Sequence, residues 1–256
     1  MGKLVSIFVC GVQKGGTTSL FAYFREHPSL SSPSEKELHF FDEETVDWSL
    51  PDYSTLDTFF LPDDGDKLRF DMTPIYGFWP PSIGRIYAYN PSAKLIFLFR
   101  DPVDRAWSQW CMEYGRGEET LSFADAIRTG RSRIINMPPL APDRRIYSYV
   151  ERGLYAEQVR RVLELFPREQ VLFLRSQDLL NHHRTTLARI AAFLNISPFP
   201  ETGPKHEYLQ PHIPLPSNAI RREDQAFLAD IFRDDVQAFA RLTELDVADW
   251  STMKEA

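Results

Sequence analysis

Four short apolar runs, at residues 4–10, 68–71, 95–99 and 171–174, stand out from an otherwise mixed chain. Runs of this length, without polar alternation, read as strands buried on both faces. Each is followed by a turn and then by positions with helical spacing. The first leads into a helix over 17–27. The second is followed by a weaker helix over 81–89. The third leads into 103–114 behind Pro102, a good first-turn residue. After the fourth, Leu187, Ile190, Ala191 and Leu194 repeat at helical intervals. A long helix is predicted over 147–166, with Tyr155, Val159, Val162, Leu163 and Phe166 on one face. A last one runs from Glu223 to about Leu242, with Phe227, Ile231, Phe239 and Leu242 inward.

Strands alternating with helices predict an α/β fold, a central parallel sheet flanked by helices on both faces. Ligands of such sheets bind at the carboxyl ends of the strands. Residues 11–18 and Arg100-Asp101 both lie at such ends, so both can face one ligand. Two segments look irregular. Arg128 and the stretch 131–145 together hold five arginines among prolines, and 198–216 is dense in Pro and His. Loops this long often act as lids or binding loops.

The 256 residues are read as one domain, 1–256. A piece cut from a longer protein is an alternative the sequence leaves open. The net charge of −7 argues against nucleic-acid partners, which need a basic footprint. Cys10 and Cys111 are two isolated thiols, with neither a disulfide framework nor a metal site. No apolar run approaches the ~18 residues of a membrane span, and no signal peptide is visible. The expected location is cytoplasmic.

The chemistry begins at residues 11–18, Gly-Val-Gln-Lys-Gly-Gly-Thr-Thr, between the first strand and helix. A glycine turn ahead of a helix N-terminus cradles anionic oxygens with backbone N–H groups. Counted from Gly11, a Walker A motif would place lysine where Thr17 stands; here the lysine is Lys14. A nucleoside-triphosphate enzyme is thereby weakened, though it remains a rival, as does a nucleotide-binding module without catalysis. The second motif is Leu-Phe-Arg-Asp-Pro-Val-Asp-Arg-Ala-Trp-Ser, residues 98–108. Arg100 offers a fork of donors and Ser108 a hydroxyl to one anion. Asp101 suits a helix cap better than a magnesium ligand, since Arg100 would put a cation beside the metal. Arg105 reads as a solvated helix residue.

These two motifs together resemble those of the sulfotransferases that use adenosine 3′-phosphate 5′-phosphosulfate (PAPS). The heparan sulfate branch and its bacterial relatives look closest. The resemblance covers roughly residues 6–194 and implies a P-loop-like three-layer fold. It also implies sulfuryl transfer from PAPS without a metal, leaving adenosine 3′,5′-bisphosphate. By the same resemblance, Lys14, Gly15, Gly16, Thr17 and Thr18 hold the 5′-phosphosulfate, and Arg100 and Ser108 the 3′-phosphate. Lys36-Glu37-Leu38-His39-Phe40-Phe41 resembles the segment carrying that branch's general base, which falls on Glu37. His39 is the rival base; in a strand-like segment the two share a face. Asp71-Met72-Thr73-Pro74-Ile75-Tyr76 resembles a segment near the acceptor cleft, with Asp for Glu and Met72 for Lys. Losing that lysine speaks against an anionic glycan, while Thr73 and Tyr76 remain candidate contacts. Tyr155, in Arg-Gly-Leu-Tyr, matches a position close to the nucleotide. A late Lys-Gly-Arg loop of the family is missing; Ser217, Asn218, Arg221 and Arg222 occupy its place. The acceptor is expected to be a small-molecule or carrier-bound alcohol or amine, a lipid, polyketide or glycan. Trp48, Tyr53, Phe78, Trp79, Trp107 and Trp110 line its pocket or belong to the core.

Overall fold

The computed structural model describes residues 3–205, 214–216 and 219–254. Of the residues standing in place of the family's Lys-Gly-Arg loop, Ser217 and Asn218 lie outside them, while Arg221 and Arg222 lie at the start of the last helix. The chain divides into two compact units, Met1–Phe99 with Arg161–Tyr208, and Arg100–Arg160 with Leu209–Ala256.

The first unit holds five strands: β1 (Val5–Gly11), β2 (Leu30–Ser31), β3 (Leu68–Asp71), β4 (Lys94–Phe99) and β5 (Val171–Arg175). They form one parallel sheet in the order β2-β3-β1-β4-β5. The four predicted strands are all present. β2 escapes the pattern because two residues are too few to show a period. Strand alternation divides the buried side chains between the two faces. Ile7, Val9, Phe70, Met72, Ile96, Leu98 and Leu174 pack with Leu20, Tyr23 and Phe24 of α1 (Thr17–Arg25), and with Leu187, Ile190 and Leu194 from His183–Leu194. On the other face Phe8 meets Phe41 and Tyr89 edge-on, and Phe97, Phe99 and Phe173 cluster. Tyr89 ends α2 (Ser82–Tyr89).

The second unit is helical. Its main elements are α3 (Pro102–Arg116), the start of α4 (Tyr155–Leu165) and α5 (Arg222–Thr243). Two expectations change here. The helix predicted over 147–166 begins only at Tyr155; a short helix, Arg144–Tyr147, and a 3-10 turn, Glu151–Gly153, precede it. Gly153 sits in this break, where a Cβ would lie 2.7 Å from the Phe232 ring and 3.0 Å from Pro102, so only glycine fits where the chain passes them. On α5 the buried face is turned by one residue from the predicted one, carrying Leu228, Phe232, Val236 and Phe239. Phe227 stays half-buried, under the Arg128 guanidinium, which also pairs with the buried Asp224.

The arginine-rich stretch 131–145 is not an open loop. Short helices run through it, and its arginines are engaged: Arg133 on Glu119, Arg131 on Glu151, Arg144 on the Ile134 carbonyl.

Candidate active site

The turn after β1 owes its shape to two glycines. Val12 N–H donates to the Leu98 carbonyl (3.1 Å), and Gly15 N–H donates back to Val12 (2.9 Å). This folds Gly15 onto the end of β4, where a Cβ would overlap the Leu98 carbonyl oxygen and stand 2.9 Å from that of Val12. Gly16 caps α1 with φ +89°, a conformation glycine adopts without a Cβ penalty. Lys14 also has a left-handed φ of 69°. The first bond of α1 is Leu20 N–H to Gly16, so the amides of the preceding turn head the helix where its dipole favours anions. Thr17 is buried, while Lys14 and Thr18 are partly exposed. A backbone drawn this tight, with glycine where a side chain would intrude, fits a phosphate group.

Glu37 and His39 are brought together, but not by a strand. Residues 36–40 form no regular element, and both residues have positive φ, 64° and 54°. The turn nevertheless sets His39 Nε2 3.6 Å from Glu37 Oε2, with Nδ1 3.0 Å from the buried Asp42 carboxylate. Lys36 also pairs with Glu37. Desolvation pushes the Glu37 carboxyl up, but the His39 hydrogen bond and the Lys36 charge outweigh it and hold the group at about 2. Desolvation pulls the His39 imidazole down, but its bonds to Asp42 and Glu37 outweigh that and push it up to about 9. At neutral pH this is a carboxylate facing an imidazolium. Asp42 is a member of the cluster that sequence reasoning missed. Its spacing of three from His39 was the available signal.

Behind this pair lies a closed polar knot. The buried Asp71 carboxylate accepts from Thr73 (2.7 Å) and from Tyr76 (2.7 Å), and Thr73 Oγ1 faces the His39 amide at 3.5 Å. Burial lifts Asp71 to about 6 against the bonds that lower it. Thr73 and Tyr76 are fully buried and committed to Asp71, so they support the Glu37–His39 turn instead of reaching for an acceptor. Met72 points into the sheet core and carries no information about the acceptor. The aromatic residues are mostly core as well. Trp79 and Trp110 are buried, Trp107 stacks on Trp110, and Trp48 packs on Phe40 and Phe41 under Arg85.

In the second unit, Arg100 is the first residue after β4 and Ser108 lies within α3; both are partly exposed. Tyr155 is fully buried, and its hydroxyl donates to the Arg100 carbonyl at 2.8 Å. Asp101 caps α3 as expected, accepting from Val103 N–H at 3.0 Å. The same carboxylate accepts from Ser251 N–H and Oγ (2.5 and 2.6 Å) and from Thr252 (2.8 Å), so both its oxygens serve the fold. Arg105 is the clear departure. It is fully buried, donating to Gln109 Oε1 at 2.7 Å and to the Tyr149 carbonyl, and is not a solvated residue.

Comparison with known proteins agrees with the family resemblance. A family model described as "Sulfotransferase domain" matches residues 5–210. The human heparan sulfate glucosamine 3-O-sulfotransferase 3B1 is 31% identical over 195 residues, 76% of this chain and 47% of that protein. The human bifunctional heparan sulfate N-deacetylase/N-sulfotransferase 3 is 29% identical over 212 residues, 77% of this chain and 23% of that protein. The chain spans about half the length, or less, of these curated relatives. A crystal structure of a sulfotransferase from Alicyclobacillus acidocaldarius superposes with a TM-score of 0.80 at 27% identity, covering 97% of this chain and 99% of that one. Among the described residues no helix is long and apolar enough to cross a membrane. With most of its length matched by the family model and its sheet matched by a solved member, this chain belongs to the sulfotransferase family.

Proposed function

We propose that this protein transfers a sulfuryl group from PAPS to a hydroxyl or amine, with residues 1–256 working as one sulfotransferase domain. The observation that carries the reading is the glycine turn ahead of α1, where Gly15 is folded onto the Leu98 carbonyl and Gly16, at φ +89°, leaves the first amides of the helix facing outward from its N-terminus. PAPS supplies the sulfuryl group when bound. The amides of Gly16, Thr17 and Thr18 hold its 5′-phosphate oxygens, Gly15 shapes the turn through its bond to Val12, and Lys14 stabilises charge that develops on the oxygens around sulfur. Arg100 and Ser108 take the 3′-phosphate, and Tyr155 fixes the Arg100 main chain.

Glu37 is the base of this reading, and His39 its orienting partner. A base must be deprotonated before it acts. At neutral pH Glu37 is the ionised member of the pair and His39 already carries its proton. The imidazolium donates to Asp42 and forms an ion pair with Glu37 at 3.6 Å, and so fixes where the carboxylate points.

The human 3-O-sulfotransferase relative bears a name that points to a glucosamine acceptor, so an amino-sugar hydroxyl belongs in any acceptor panel beside phenols, lipids, polyketides and carrier-bound alcohols. The test is a labelled-donor transfer assay over that panel, run with and without chelator. It is paired with calorimetric binding of adenosine 3′,5′-bisphosphate. Chelator-insensitive binding and transfer to at least one acceptor are expected. Binding that requires ATP and magnesium instead would overturn the reading.

A further inference from the structure

The Glu37–His39 pair sits on a stretch with no helix or strand, in which both residues have positive φ. Such a backbone persists only where its surroundings over-determine it. The support comes from the end of β3. The Asp71 carboxylate is fully buried and accepts from the Thr73 hydroxyl on Oδ1 and from the Tyr76 hydroxyl on Oδ2, each at 2.7 Å. Thr73 Oγ1 in turn accepts from the His39 amide at 3.5 Å, and Tyr76 Oη from the Phe41 amide at 3.4 Å. The Phe41 carbonyl is held from α2, by Ser82 Oγ at 3.1 Å and by Arg85 at 3.0 Å. Charge fixes the order of donors. A carboxylate has no hydrogen to give, so both hydroxyls point theirs at Asp71. Only lone pairs are then left to face the turn, which is what two amide donors require. A protonated Asp71 carries a hydrogen of its own. One hydroxyl must then stop donating to it, and the displaced hydrogen competes with the amide that hydroxyl accepted.

We propose that Asp71 is a positioning residue for the transfer reaction: its ionised carboxylate sets the direction of the Thr73 and Tyr76 hydroxyls and, through them, holds the main chain of the turn that aims Glu37. Protonating Asp71 loosens the turn and slows transfer. This rests on the reading of Glu37 as the base. The titratable groups that bear on Asp71 come from three segments. His39, itself paired with Glu37 and Asp42, favours the ionised form. Cys10 on β1 and Tyr76 are kept protonated by burial and by the Asp71 charge, and Asp42 also acts on Tyr76. Burial lifts Asp71 to about 6 against its hydrogen bonds, while Glu37 is held at about 2. A fall in rate near pH 6 therefore belongs to Asp71 and not to the base.

The test follows kcat/KM against pH on the whole chain, with labelled PAPS and the panel acceptor that wild type turns over fastest. NMR titration of the His39 and Phe41 amides runs beside it and needs no acceptor. Wild type should lose rate below about pH 6, and both amides should titrate with the same midpoint. Thr73→Val and Tyr76→Phe each remove one donor to the carboxylate. Those bonds favour its charged form, so the midpoint should rise by about one pH unit in each variant. Asp71→Asn has no carboxyl to titrate. It should lower kcat about tenfold or more, with a flat profile through about pH 6 and bisphosphate affinity within about twofold of wild type. If Asp71→Asn does not fold, the two hydroxyl variants decide. A purely structural Asp71 would lower the melting temperature and weaken bisphosphate binding along with the rate, and would leave the midpoint unmoved in the hydroxyl variants. That result would overturn the inference, as would His39 and Phe41 amides that do not titrate. Normal turnover by Glu37→Gln would sink the reading of the base, and this inference with it. An inactive Glu37→Gln with an unmoved midpoint would overturn this inference alone.

Discussion

His39 Nε2 lies 3.6 Å from Glu37 Oε2 while its Nδ1 is held 3.0 Å from Asp42, so one ring orients the carboxylate at a turn where both residues have positive φ. This pairing gives the two candidate bases opposite charges. The consequence is testable by isosteric change. Glu37→Gln should cut turnover by about 10²-fold or more while leaving the affinity for adenosine 3′,5′-bisphosphate within about twofold. His39→Gln should act more weakly on turnover, through orientation. If His39→Gln is inactive and Glu37→Gln turns over normally, the roles are reversed.

The same pair fixes a pH window. The folded Glu37 pKa, about 2, lies below its ordinary 4.5, so its contribution to stability is present above about 4.5 and is lost as pH falls toward 2. The folded His39 pKa, about 9, lies above its ordinary 6.5; its contribution is complete below about 6.5 and disappears as pH rises through 9. Asp71 works in the other direction, because burial raises it to about 6 and its ionisation above that pH opposes folding. Melting temperatures of wild type and His39→Gln should therefore differ most between about pH 4.5 and 6.5 and converge above about pH 9. A constant difference across that range would contradict the pairing.

Lys14 and Gly15 separate chemistry from shape in the phosphate turn. Lys14→Ala should reduce transfer by about 10²–10³-fold with an unchanged melting temperature. Gly15→Ala forces a methyl against the Leu98 carbonyl. It should destabilise by about 1–3 kcal/mol and abolish bisphosphate binding, because the loop can make room only by leaving the end of β4. Calorimetry and thermal melts of both variants distinguish the two effects. Normal binding by Gly15→Ala would show that the turn does not hold the nucleotide.

What the sequence made legible follows from locality. The four longer strands, α1 and the Asp101-Pro102 start of α3 each carry their signal within a few residues, and each forms as read. The start of α4 does not. Its first amides, on Tyr155 and Ala156, are capped by the Asp235 carboxylate, about 80 positions away on α5, and no local pattern announces such a cap. Arg105 misleads for a related reason. Arg105, Gln109 and Glu113 form a polar row at helical spacing, which by composition belongs in water, yet all three are buried. The segment ending at Tyr149 covers part of that row, supplying carbonyls from Tyr149 and Ile146 to Arg105 and Gln109. Glu37 and His39 were placed on one face by strand geometry; they meet instead through a turn with two left-handed residues, whose acidic anchor, Asp42, is three positions on.

Asp101 provides a final test, one that separates a structural carboxylate from a ligand. Its two oxygens accept from Val103 N–H, Ser251 N–H, Ser251 Oγ and Thr252 Oγ1, four donors from two segments 150 residues apart. Asp101→Asn keeps one carbonyl oxygen for the cap and Thr252 but turns an N–H₂ toward the two Ser251 donors. Hydrogen bonds to a charged acceptor contribute about 1.5–3 kcal/mol, so Asp101→Asn should destabilise by about that amount or more. Asp101→Ala should cost further, through the lost helix cap, worth typically about 1 kcal/mol. If the carboxylate serves only the fold, calorimetric titration below the melting transition should find bisphosphate affinity within about threefold of wild type for Asp101→Asn, whether or not magnesium is added. A full loss of affinity in a variant that is still folded would place Asp101 in the binding machinery instead.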